Sequence, residues 1–333
     1  MVSPPDLRAA YAGARVIVTG GLGFIGSTVA ARLVALGADV LLVDNLFPDY
    51  GGNPANIAAI RDRVTVEIAD IRDVPAMRSL LKGRRYLFNL AAQTSHMGSM
   101  TDPQTDLAIN GAAQVALLEA CRELAPDIAV VYASTRQIYG RPHYLPVDEK
   151  HPLRPVDVNG VNKMAGEAYH ILFHDVYGLK ATALRLTNTY GPRMRIKDGR
   201  QTFIGLWLRC VLEDRPFEVW DGAQLRDLTY VDDAAEAFLL AAASPETAGR
   251  VFNIGGGDPT TLADLAAALV AANGGGRFDL REFPAERKRI DVGSYYADDA
   301  LFRETTGWRP TVSAAEGLRR SLDYFRQHFR EYV

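Results

Sequence analysis

The sequence predicts an α/β fold in which a parallel sheet is covered by helices on both faces. Apolar runs rich in β-branched residues alternate with helical stretches as far as about residue 190, which is the pattern of a doubly wound parallel sheet. A glycine cluster separates the first of these runs from the first helical stretch. Beyond Pro192, polar and glycine-rich segments interrupt the helices, so we expect a smaller, mixed C-terminal region.

The predicted elements follow one another in a regular order. Strands are predicted at residues 15–19, 39–43, 64–68, 86–90, 128–132 and 181–186. Helices are predicted at residues 27–36, 74–81, 105–124, 163–176, 203–212 and 231–243. This order divides the chain into a domain over residues 1–190, to which later segments return, and a region over residues 191–333.

Composition and charge exclude several classes of protein. The chain has 333 residues, of which 48% are hydrophobic and 23% charged, as in a folded protein with a sizeable core. Its formal charge of −3 argues against a nucleic-acid-binding protein. Cys121 and Cys210 are far apart and show no metal-ligand spacing, so we expect no metal. No apolar run reaches the roughly 18 residues that span a bilayer, and no signal peptide is recognisable, which favours the cytoplasm.

A dinucleotide site is predicted at the glycine cluster. The segment TGGLGFIG contributes Gly20, Gly23, Phe24, Ile25 and Gly26. Glycines at this spacing permit a tight turn, let the backbone approach a pyrophosphate and pack the helix against the strand. Asp44 ends the next strand about 20 residues further on, where a carboxylate accepts hydrogen bonds from the adenosine ribose. Because this carboxylate repels a 2′-phosphate, the sequence predicts NAD as the cofactor of a Rossmann-type domain.

Further candidates for the same cofactor lie near the ends of the predicted strands, apart from Asn110, which lies in the helix predicted at 105–124. They are Asn45, Asp70, Ile71, Leu90, Ala91, Ala92, Gln93 and Asn110. Asp70 and Ile71 follow the third strand and are expected to meet the adenine. The small residues of NLAAQ, which ends the fourth strand, permit close approach of the cofactor.

Motifs along nearly the whole chain resemble those of the extended short-chain dehydrogenase/reductase family. They are TGGLGFIG, DN at 44–45, NLAAQ, YASTRQIYG, NGVNK, RLTNTYGP, LRDLTYVDD and TGWRP. Within that family the resemblance is to nucleotide-sugar epimerases and dehydratases, such as UDP-glucose/galactose 4-epimerase. It implies NAD in the N-terminal domain and a nucleoside-diphosphate sugar in the C-terminal region. It also implies a homodimer formed through helices 105–124 and 163–176.

The resemblance implies a catalytic row of Ser or Thr, Tyr and Lys, and this chain departs from the row at one position. Thr135 and Lys163 stand where the family has its hydroxyl and its lysine, which also binds the nicotinamide ribose. Asn159 stands four residues before Lys163, where the family has tyrosine. An amide has no pKa suited to proton transfer and cannot replace a phenolate as base.

Three explanations of this departure are open. In the first, another group acts as base: Lys163, His96, or a water held by Asn159 and Thr135. In the second, the chemistry differs from ordinary hydride shuttling. In the third, the protein binds NAD without converting a sugar. Because the other motifs are intact, we favour an enzyme with an altered base, in which Lys163 carries more of the proton transfer.

The two residues after Thr135 bear on the type of reaction. The 4,6-dehydratases of the family carry an Asp-Glu pair there, whereas this chain has Arg136 and Gln137, which argues against 4,6-dehydration. Arg136 either faces a substrate carboxylate, which a guanidinium binds in bidentate fashion, or pairs with a nearby Asp or Glu of the protein.

The resemblance also assigns residues to the nucleotide sugar. They are Thr135, Asn188, Gln201, Phe203, Val219, Trp220, Arg226, Lys288 and Arg289. Asn188 and Arg226 are expected to bind the diphosphate, with Lys288 and Arg289 as a second basic cluster. Gln201 and Phe203 are expected to line the nucleotide pocket, and Val219 and Trp220 to cover the nucleotide base, with Trp220 stacking on it.

The sequence therefore predicts an NAD-dependent nucleoside-diphosphate-sugar epimerase that acts at C4 through a 4-keto intermediate, with an atypical base. Arg136 suggests an alternative, a uronic-acid-nucleotide epimerase or decarboxylase. Asn159 suggests another, a catalytically silent protein that binds NAD or a nucleotide sugar.

Overall fold

Seven parallel strands form the central sheet of the computed structural model, which describes residues 4–47 and 50–333 without the side chains of residues 286 and 287. The strands are β1 (Arg15–Thr19), β2 (Asp39–Asp44), β3 (Thr65–Ile68), β4 (Tyr86–Asn89), β5 (Ala129–Thr135), β6 (Lys180–Leu186), β7 (Asn188–Tyr190), β8 (Phe217–Trp220), β9 (Leu225–Arg226), β10 (Leu228–Tyr230), β11 (Val251–Ile254), β12 (Thr260–Thr261) and β13 (Phe278–Arg281). The central sheet has the order β11-β6-β5-β4-β1-β2-β3. The remaining strands form the pairs β10-β7, β12-β9 and β13-β8.

Helices cover the sheet and build much of the C-terminal region. They are α1 (Leu7–Tyr11), α2 (Phe24–Ala35), α3 (Val74–Leu80), α4 (His96–Thr101), α5 (Pro103–Leu107), α6 (Ala113–Leu124), α7 (Val158–Tyr177), α8 (Phe203–Leu212), α9 (Val231–Ala243), α10 (Leu262–Asn273), α11 (Ala285–Lys288), α12 (Ala300–Thr306) and α13 (Ala314–His328). Short 3-10 segments lie at Pro54–Arg63, Arg136–Tyr139, Pro245–Thr247 and Phe329–Glu331. In the part of the chain that the structure describes, none of the helices is long and apolar enough to cross a membrane.

The predicted α/β class with a parallel sheet is confirmed. The strand β1 lies between β2 and β4, and Val16, Ile17 and Val18 have no exposed surface. The chain builds β2 and β3 on one side of β1 and then crosses to β4 on the other side. A parallel sheet that reverses its order in this way leaves a crevice at the carboxyl ends of its strands. The fold therefore places a binding crevice directly after β1.

Three of the four hydrophobic cores in the described part of the chain hold the layers together. On one face of the sheet, α2 and α9 pack around Val29 and Phe238, and on the other face α6 and α7 pack around Leu117. A third core joins α8, α10 and α13 around Leu208 and Leu322. Because β11 pairs with β6 at the edge of the central sheet, a late segment of the chain returns to the N-terminal part. The boundary at residue 190 stays a prediction.

Two predicted helices differ from the observed ones in ways that shape the crevice. The helix predicted at 105–124 is divided, because a π-helical turn (Ala108–Ala112) separates α5 from α6. Such turns often occur at functional sites, and this one contains Asn110, whose Nδ2 donates to the carbonyl of Gln93 at 2.9 Å. The helix α7 begins at Val158 rather than Lys163, because Asp157 caps it by accepting a hydrogen bond from Gly160 N.

Candidate active site

A cavity of about 260 Å³ opens at the carboxyl ends of the central strands. The predicted residues that line it are Gly20, Gly23, Phe24, Ile25, Gly26, Asp44, Asn45, Asp70, Ile71, Leu90, Ala91, Ala92, His96, Thr135, Arg136, Asn159, Lys163, Asn188 and Gln201. The predicted residues that do not line it are Gln93, Asn110, Phe203, Val219, Trp220, Arg226, Lys288 and Arg289. The fold thus brings the cofactor candidates and the proton-transfer candidates to one cavity.

The glycine turn after β1 leaves no room for side chains, as Gly20 and Gly26 show. Gly20 has a φ of +68°, and a Cβ there would lie 2.9 Å from the backbone nitrogen of Ala91. A Cβ at Gly26 would overlap the carbonyl oxygen of Gly20. Gly23 caps α2 without a side chain, so no protein group covers the first-turn N–H groups of that helix from the cap position. Such an open helix N-terminus, cradled by glycines, fits the pyrophosphate of a dinucleotide.

Asp44, at the end of β2, faces the cavity and is 8% exposed. Its Oδ2 accepts a hydrogen bond from Leu22 N at 3.1 Å, and its Oδ1 accepts one from Leu46 N at 2.9 Å. Burial raises the pKa of Asp44, while these two backbone donors oppose that rise. Each carboxylate oxygen can still accept a further hydrogen bond. The residue therefore fits the hydroxyls of an adenosine ribose.

A polar pair of side chains, Asn45 and Asp70, and an aromatic pair also line the cavity. Asn45 Nδ2 donates to Asp70 Oδ2 at 2.8 Å. Hydrogen bonds from Arg72 are the main cause that lowers the pKa of Asp70 to about 2. Phe47 and Tyr50 stack with their ring centroids 4.7 Å apart and line the same cavity. The sequence does not predict these two rings, because no motif or periodic pattern marks Phe47 and Tyr50.

Lys163, on α7, is almost completely buried beside the cavity. Its Nζ donates to the carbonyl of Ala133 at 2.9 Å and lies 4.8 Å from the ring centroid of Tyr132. Burial lowers the pKa of Lys163 to about 8, and the nearby Asp106 carboxylate opposes part of that change. The amine therefore loses its proton more readily than an exposed lysine does.

Asn159 lies one turn before Lys163 on the same helix and is buried in a polar cluster. Its Nδ2 donates to the carbonyl of Gln93 at 2.8 Å and to Asp106 Oδ2 at 3.1 Å. Asn162 Nδ2 donates to the other oxygen of Asp106 at 2.8 Å. Because both amide hydrogens of Asn159 are used within the protein, only its Oδ1 is left to accept a hydrogen bond from a ligand. Gln93 acts here through its backbone, as an acceptor behind the cavity wall.

Thr135 ends β5 at the cavity. Its Oγ1 accepts a hydrogen bond from Gln137 N at 3.2 Å, which leaves its hydroxyl hydrogen to be donated. A hydroxyl held in this way donates to a ligand oxygen and does not itself take up a proton near neutral pH.

His96, the first residue of α4, lies beside a buried carboxylate. Its Nδ1 is 2.9 Å from Asp157 Oδ2. Asp157 also accepts hydrogen bonds from Gln137 Nε2 at 2.9 Å and from Gly160 N at 2.7 Å. Burial raises the pKa of Asp157, but the contact with His96 and the two hydrogen bonds together bring it below its ordinary value. The sequence analysis missed Asp157, although a polar residue directly before a helix is a signal for a cap.

Arg136 makes no ion pair with a carboxylate in the described part of the chain. Its Nη2 donates to Asn188 Oδ1 at 3.3 Å, and its guanidinium carbon lies 5.2 Å from the ring centroid of Tyr295. Its Nη1 and the Nδ2 of Asn188 are buried without a hydrogen-bond partner among the described residues. Of the two roles expected for Arg136, pairing with a protein carboxylate is therefore not what the structure shows.

Arg226 does not line the cavity, and its charge is close to that of Arg136. Its Nη2 donates to Gln224 Oε1 at 2.8 Å, and its Nε is buried without a partner among the described residues. Burial and, next, the proximity of Arg136 lower the pKa of Arg226 to about 10. Lys288 and Arg289 are exposed, so the second basic cluster is not part of the cavity wall.

The residues assigned to the nucleotide base lie in the C-terminal core or at its surface. Val219 has no exposed surface. Phe203 packs against Trp207, with their ring centroids 4.7 Å apart. Trp220 is partly exposed, and its Nε1 donates to Glu218 Oε2 at 3.1 Å. The structure does not bring these residues to the cavity, so their contact with a nucleotide stays a prediction. Across the described residues no three metal-ligating side chains cluster.

The chain is similar to one protein family, to named enzymes of that family and to a solved structure. The profile of the NAD dependent epimerase/dehydratase family matches residues 16–255. UDP-glucose 4-epimerase from Mycolicibacterium smegmatis is 33% identical over 314 residues, which are 94% of this chain and 98% of that protein. UDP-glucuronate 4-epimerase 4 from Arabidopsis thaliana is 30% identical over 95% of this chain and 76% of that protein. The structure of UDP-glucose 4-epimerase from Thermotoga maritima with UDP-glucose has a TM-score of 0.85 at 31% identity, and it covers 95% of this chain and 99% of its own.

Proposed function

We propose a reaction for this chain, which belongs to the NAD dependent epimerase/dehydratase family: the NAD-dependent epimerisation of a nucleoside-diphosphate sugar at C4. One observation carries the proposal. The glycine turn and Asp44, which fit the cofactor, line the same cavity as Thr135 and Lys163. The groups that position a sugar hydroxyl therefore lie within reach of the cofactor. Two relatives that are 33% and 30% identical are named as 4-epimerases.

The residues of the cavity divide the work of this reaction. NAD, when bound, accepts a hydrogen with its electron pair from the sugar carbon and later returns it. The glycine turn holds the pyrophosphate and Asp44 holds the adenosine ribose. Lys163 donates to the nicotinamide ribose, and Thr135 donates to the reacting sugar oxygen. When the 4-keto sugar turns its other face to the cofactor before the hydrogen returns, the configuration at C4 is inverted.

The diphosphate of the substrate is expected beside Asn188 and Arg226. Asn188 Nδ2 and Arg226 Nε are both buried donors that lack acceptors among the described residues. Buried donors of this kind are costly unless an acceptor completes them. A diphosphate supplies several charged acceptor oxygens, which arginine binds strongly.

The test of the proposed function is conversion of a panel of nucleotide sugars. UDP-glucose, UDP-galactose, UDP-glucuronate, UDP-N-acetylglucosamine and dTDP-glucose are each incubated with the purified protein and NAD, and the products are identified by proton NMR. We expect the 4-epimer of at least one substrate, and we expect Lys163→Met to lose most of the activity. A protein that binds NAD but converts no sugar in the panel would favour the silent binding protein instead.

A second candidate, an epimerase of a nucleotide-linked uronic acid, is favoured by Arg136. This guanidinium borders the cavity next to Thr135, and its buried Nη1 has no partner among the described residues. A carboxylate on the sugar carbon next to the reacting one would pair with it. The Arabidopsis thaliana relative is named as a UDP-glucuronate 4-epimerase.

Substrate preference tests this second candidate. If Arg136 binds a carboxylate, Arg136→Met should reduce kcat/KM for UDP-glucuronate by about 10- to 150-fold, which corresponds to about 1.5–3 kcal/mol for a charged hydrogen bond. The value for UDP-glucose should change much less. Arg309→Met, at an exposed arginine outside the cavity, is the matched control. Equal losses of kcat/KM for both sugars would contradict a role of Arg136 in binding a uronic acid.

The homodimer implied by the resemblance is also proposed rather than observed. Leu172, Val176 and Tyr177 on α7 and Leu107 on α5 are exposed apolar side chains. Exposed apolar patches of this kind often mark interfaces, and we propose that a second copy of the chain covers them. Light scattering of wild type and of Leu172→Asp tests this, because the variant should dissociate the dimer. The cytoplasmic location stays a prediction from the sequence.

A further inference from the structure

The proposed reaction needs a base other than Asn159. Both amide hydrogens of this residue are donated within the protein, and the amide does not take up a proton. A carboxamide has no proton-transfer pKa in water, and Thr135 offers only a neutral hydroxyl. Among the described residues that line the cavity together with Thr135 and Asn159, the side chains with a nitrogen that can accept a proton are His96 and Lys163.

The contacts of these two side chains differ. Lys163 Nζ donates to the carbonyl of Ala133 and faces the ring of Tyr132, which are the contacts of a fixed donor. His96 Nδ1 lies 2.9 Å from Asp157 Oδ2, an ion-pair contact without hydrogen-bond alignment, and its side chain is 41% exposed at the cavity. The Nε2 on the opposite edge of the ring makes no hydrogen bond within the described part of the chain. Of the two ring nitrogens of His96, Nδ1 has the ion-pair contact with Asp157 and Nε2 has no protein partner among the described residues.

The carboxylate of Asp157 is held in a fixed position beside the ring of His96. Its side chain has no exposed surface, and Gln137 Nε2 and Gly160 N both donate to it. It caps α7, the helix that carries Asn159 and Lys163, so its position is fixed relative to them. A carboxylate beside one imidazole nitrogen keeps the proton on that nitrogen and stabilises the imidazolium that forms when the other nitrogen takes up a proton.

We propose that His96 is the general base of the reaction and that Asp157 is its positioning residue, which rests on the proposed function. The hydroxyl at C4 of the sugar loses its proton to His96 Nε2, so that one O–H bond breaks and one N–H bond forms. The same proton returns to the sugar oxygen when the 4-keto group is reduced. Lys163 and Arg136 are the other charged side chains that line this part of the cavity, and they bind the ribose and the anionic part of the substrate.

Kinetics of matched variants test the roles of the two residues. His96→Gln should reduce kcat by about 10²- to 10⁴-fold, the usual effect of a lost general base, and leave the affinities for NAD and UDP unchanged. Asp157→Asn keeps a helix-capping residue but removes the charge that stabilises the imidazolium, so kcat should fall and its pH profile should shift to lower pH, while KM is retained. His328→Gln is the control, because His328 lies beside Glu331 in a similar contact, outside the cavity.

Two readouts separate a base from a merely structural residue. Imidazole in the buffer should restore part of the activity of His96→Ala and should not restore that of Lys163→Met. In the ¹⁵N NMR spectrum of the histidine-labelled protein, His96 should have its proton on Nδ1, and Asp157→Asn should disturb that preference. This second measurement needs no turnover. A proton on Nε2 in wild type, or full activity of His96→Gln, would overturn the proposal even if the epimerase reaction is confirmed. If wild type epimerises no sugar, the proposed function fails and the base falls with it, whatever tautomer is found.

Discussion

The side-chain amide of Asn159 donates to the buried carboxylate of Asp106 at 3.1 Å. The other oxygen of the same carboxylate accepts a hydrogen bond from Asn162 at 2.8 Å. A buried carboxylate is tolerated only when donors surround it, because an unpaired one is strongly destabilising. Position 159 is thus part of a fixed polar cluster, which explains how the protein accommodates an amide where the resemblance implies a phenol.

We expect Asn159→Tyr to reduce stability without raising activity. A phenol has a single O–H donor, so it cannot serve both Asp106 and the carbonyl of Gln93, and its ring is larger than the amide. The loss should be about 1–3 kcal/mol in the free energy of unfolding, measured with urea. Asn162→Ala removes the other donor to Asp106 without touching the cavity and should cost a similar amount. A tyrosine variant that is as stable as wild type and faster would show that position 159 limits the activity.

Asp44 should determine the choice between NAD and NADP. Its carboxylate has capacity for the ribose hydroxyls but repels a 2′-phosphate, so wild type should bind NAD more tightly in calorimetric titrations. Asp44→Ala should weaken NAD binding and narrow the ratio of the two affinities. The ratio is the informative quantity, because the variant also removes the hydrogen bonds from Leu22 and Leu46. Equal binding of both cofactors by wild type would remove the proposed role of Asp44.

Arg226 should act on the substrate and not on the cofactor. We expect Arg226→Ala to raise KM for the nucleotide sugar by about 10- to 150-fold, as for the loss of a charged hydrogen bond. The affinity for NAD should be nearly unchanged, since the charge close to Arg226 is that of Arg136, which is assigned to the substrate and not to the cofactor. Circular dichroism is needed beside the kinetics, because Arg226 also contacts Gln224. If the variant binds NAD more weakly and its KM for the nucleotide sugar is unchanged, Arg226 contacts the cofactor and not the substrate.

The burial of Lys163 predicts a pH-dependent stability. The pKa of Lys163 is lowered to about 8 in the folded protein, against about 10.4 for an unfolded lysine. Burial of the charged amine therefore destabilises the folded protein fully below pH 8, and this destabilisation disappears as the pH rises through about 10. Lys163→Met should be more stable relative to wild type near pH 7 than near pH 10, by up to about 3 kcal/mol. Urea unfolding across this range tests it, with the exposed Lys150→Met as control; a constant difference contradicts it.

Local sequence patterns predict most of the fold and the cofactor-binding part of the site. The apolar run at β1, the glycines after it and Asp44 are neighbours in sequence, and their roles depend on backbone geometry that their spacing dictates. The partners of Asn159 and His96 could not be found this way. Asp106 and Asp157 come from other segments, and only the packing of α4, α5 and α7 brings them to these side chains.

The partner of Arg136 also could not be predicted from the sequence. The sequence allowed either a protein carboxylate or a ligand carboxylate as its partner. Whether a nearby acidic side chain reaches it depends on how β5, β7 and the segment around Tyr295 pack, which no local pattern encodes. The structure leaves its Nη1 without a partner among the described residues.

The most direct test of the central claim follows the hydrogen at C4 of the sugar. UDP-glucose and UDP-glucuronate that carry deuterium at C4 are incubated with wild type and NAD in ordinary water, and the products are analysed by proton and deuterium NMR. If the cavity brings C4 to the cofactor as proposed, the 4-epimer forms and keeps its deuterium at C4. A 4-epimer that has lost this deuterium to the solvent, or the absence of any 4-epimer from either sugar, would contradict the account.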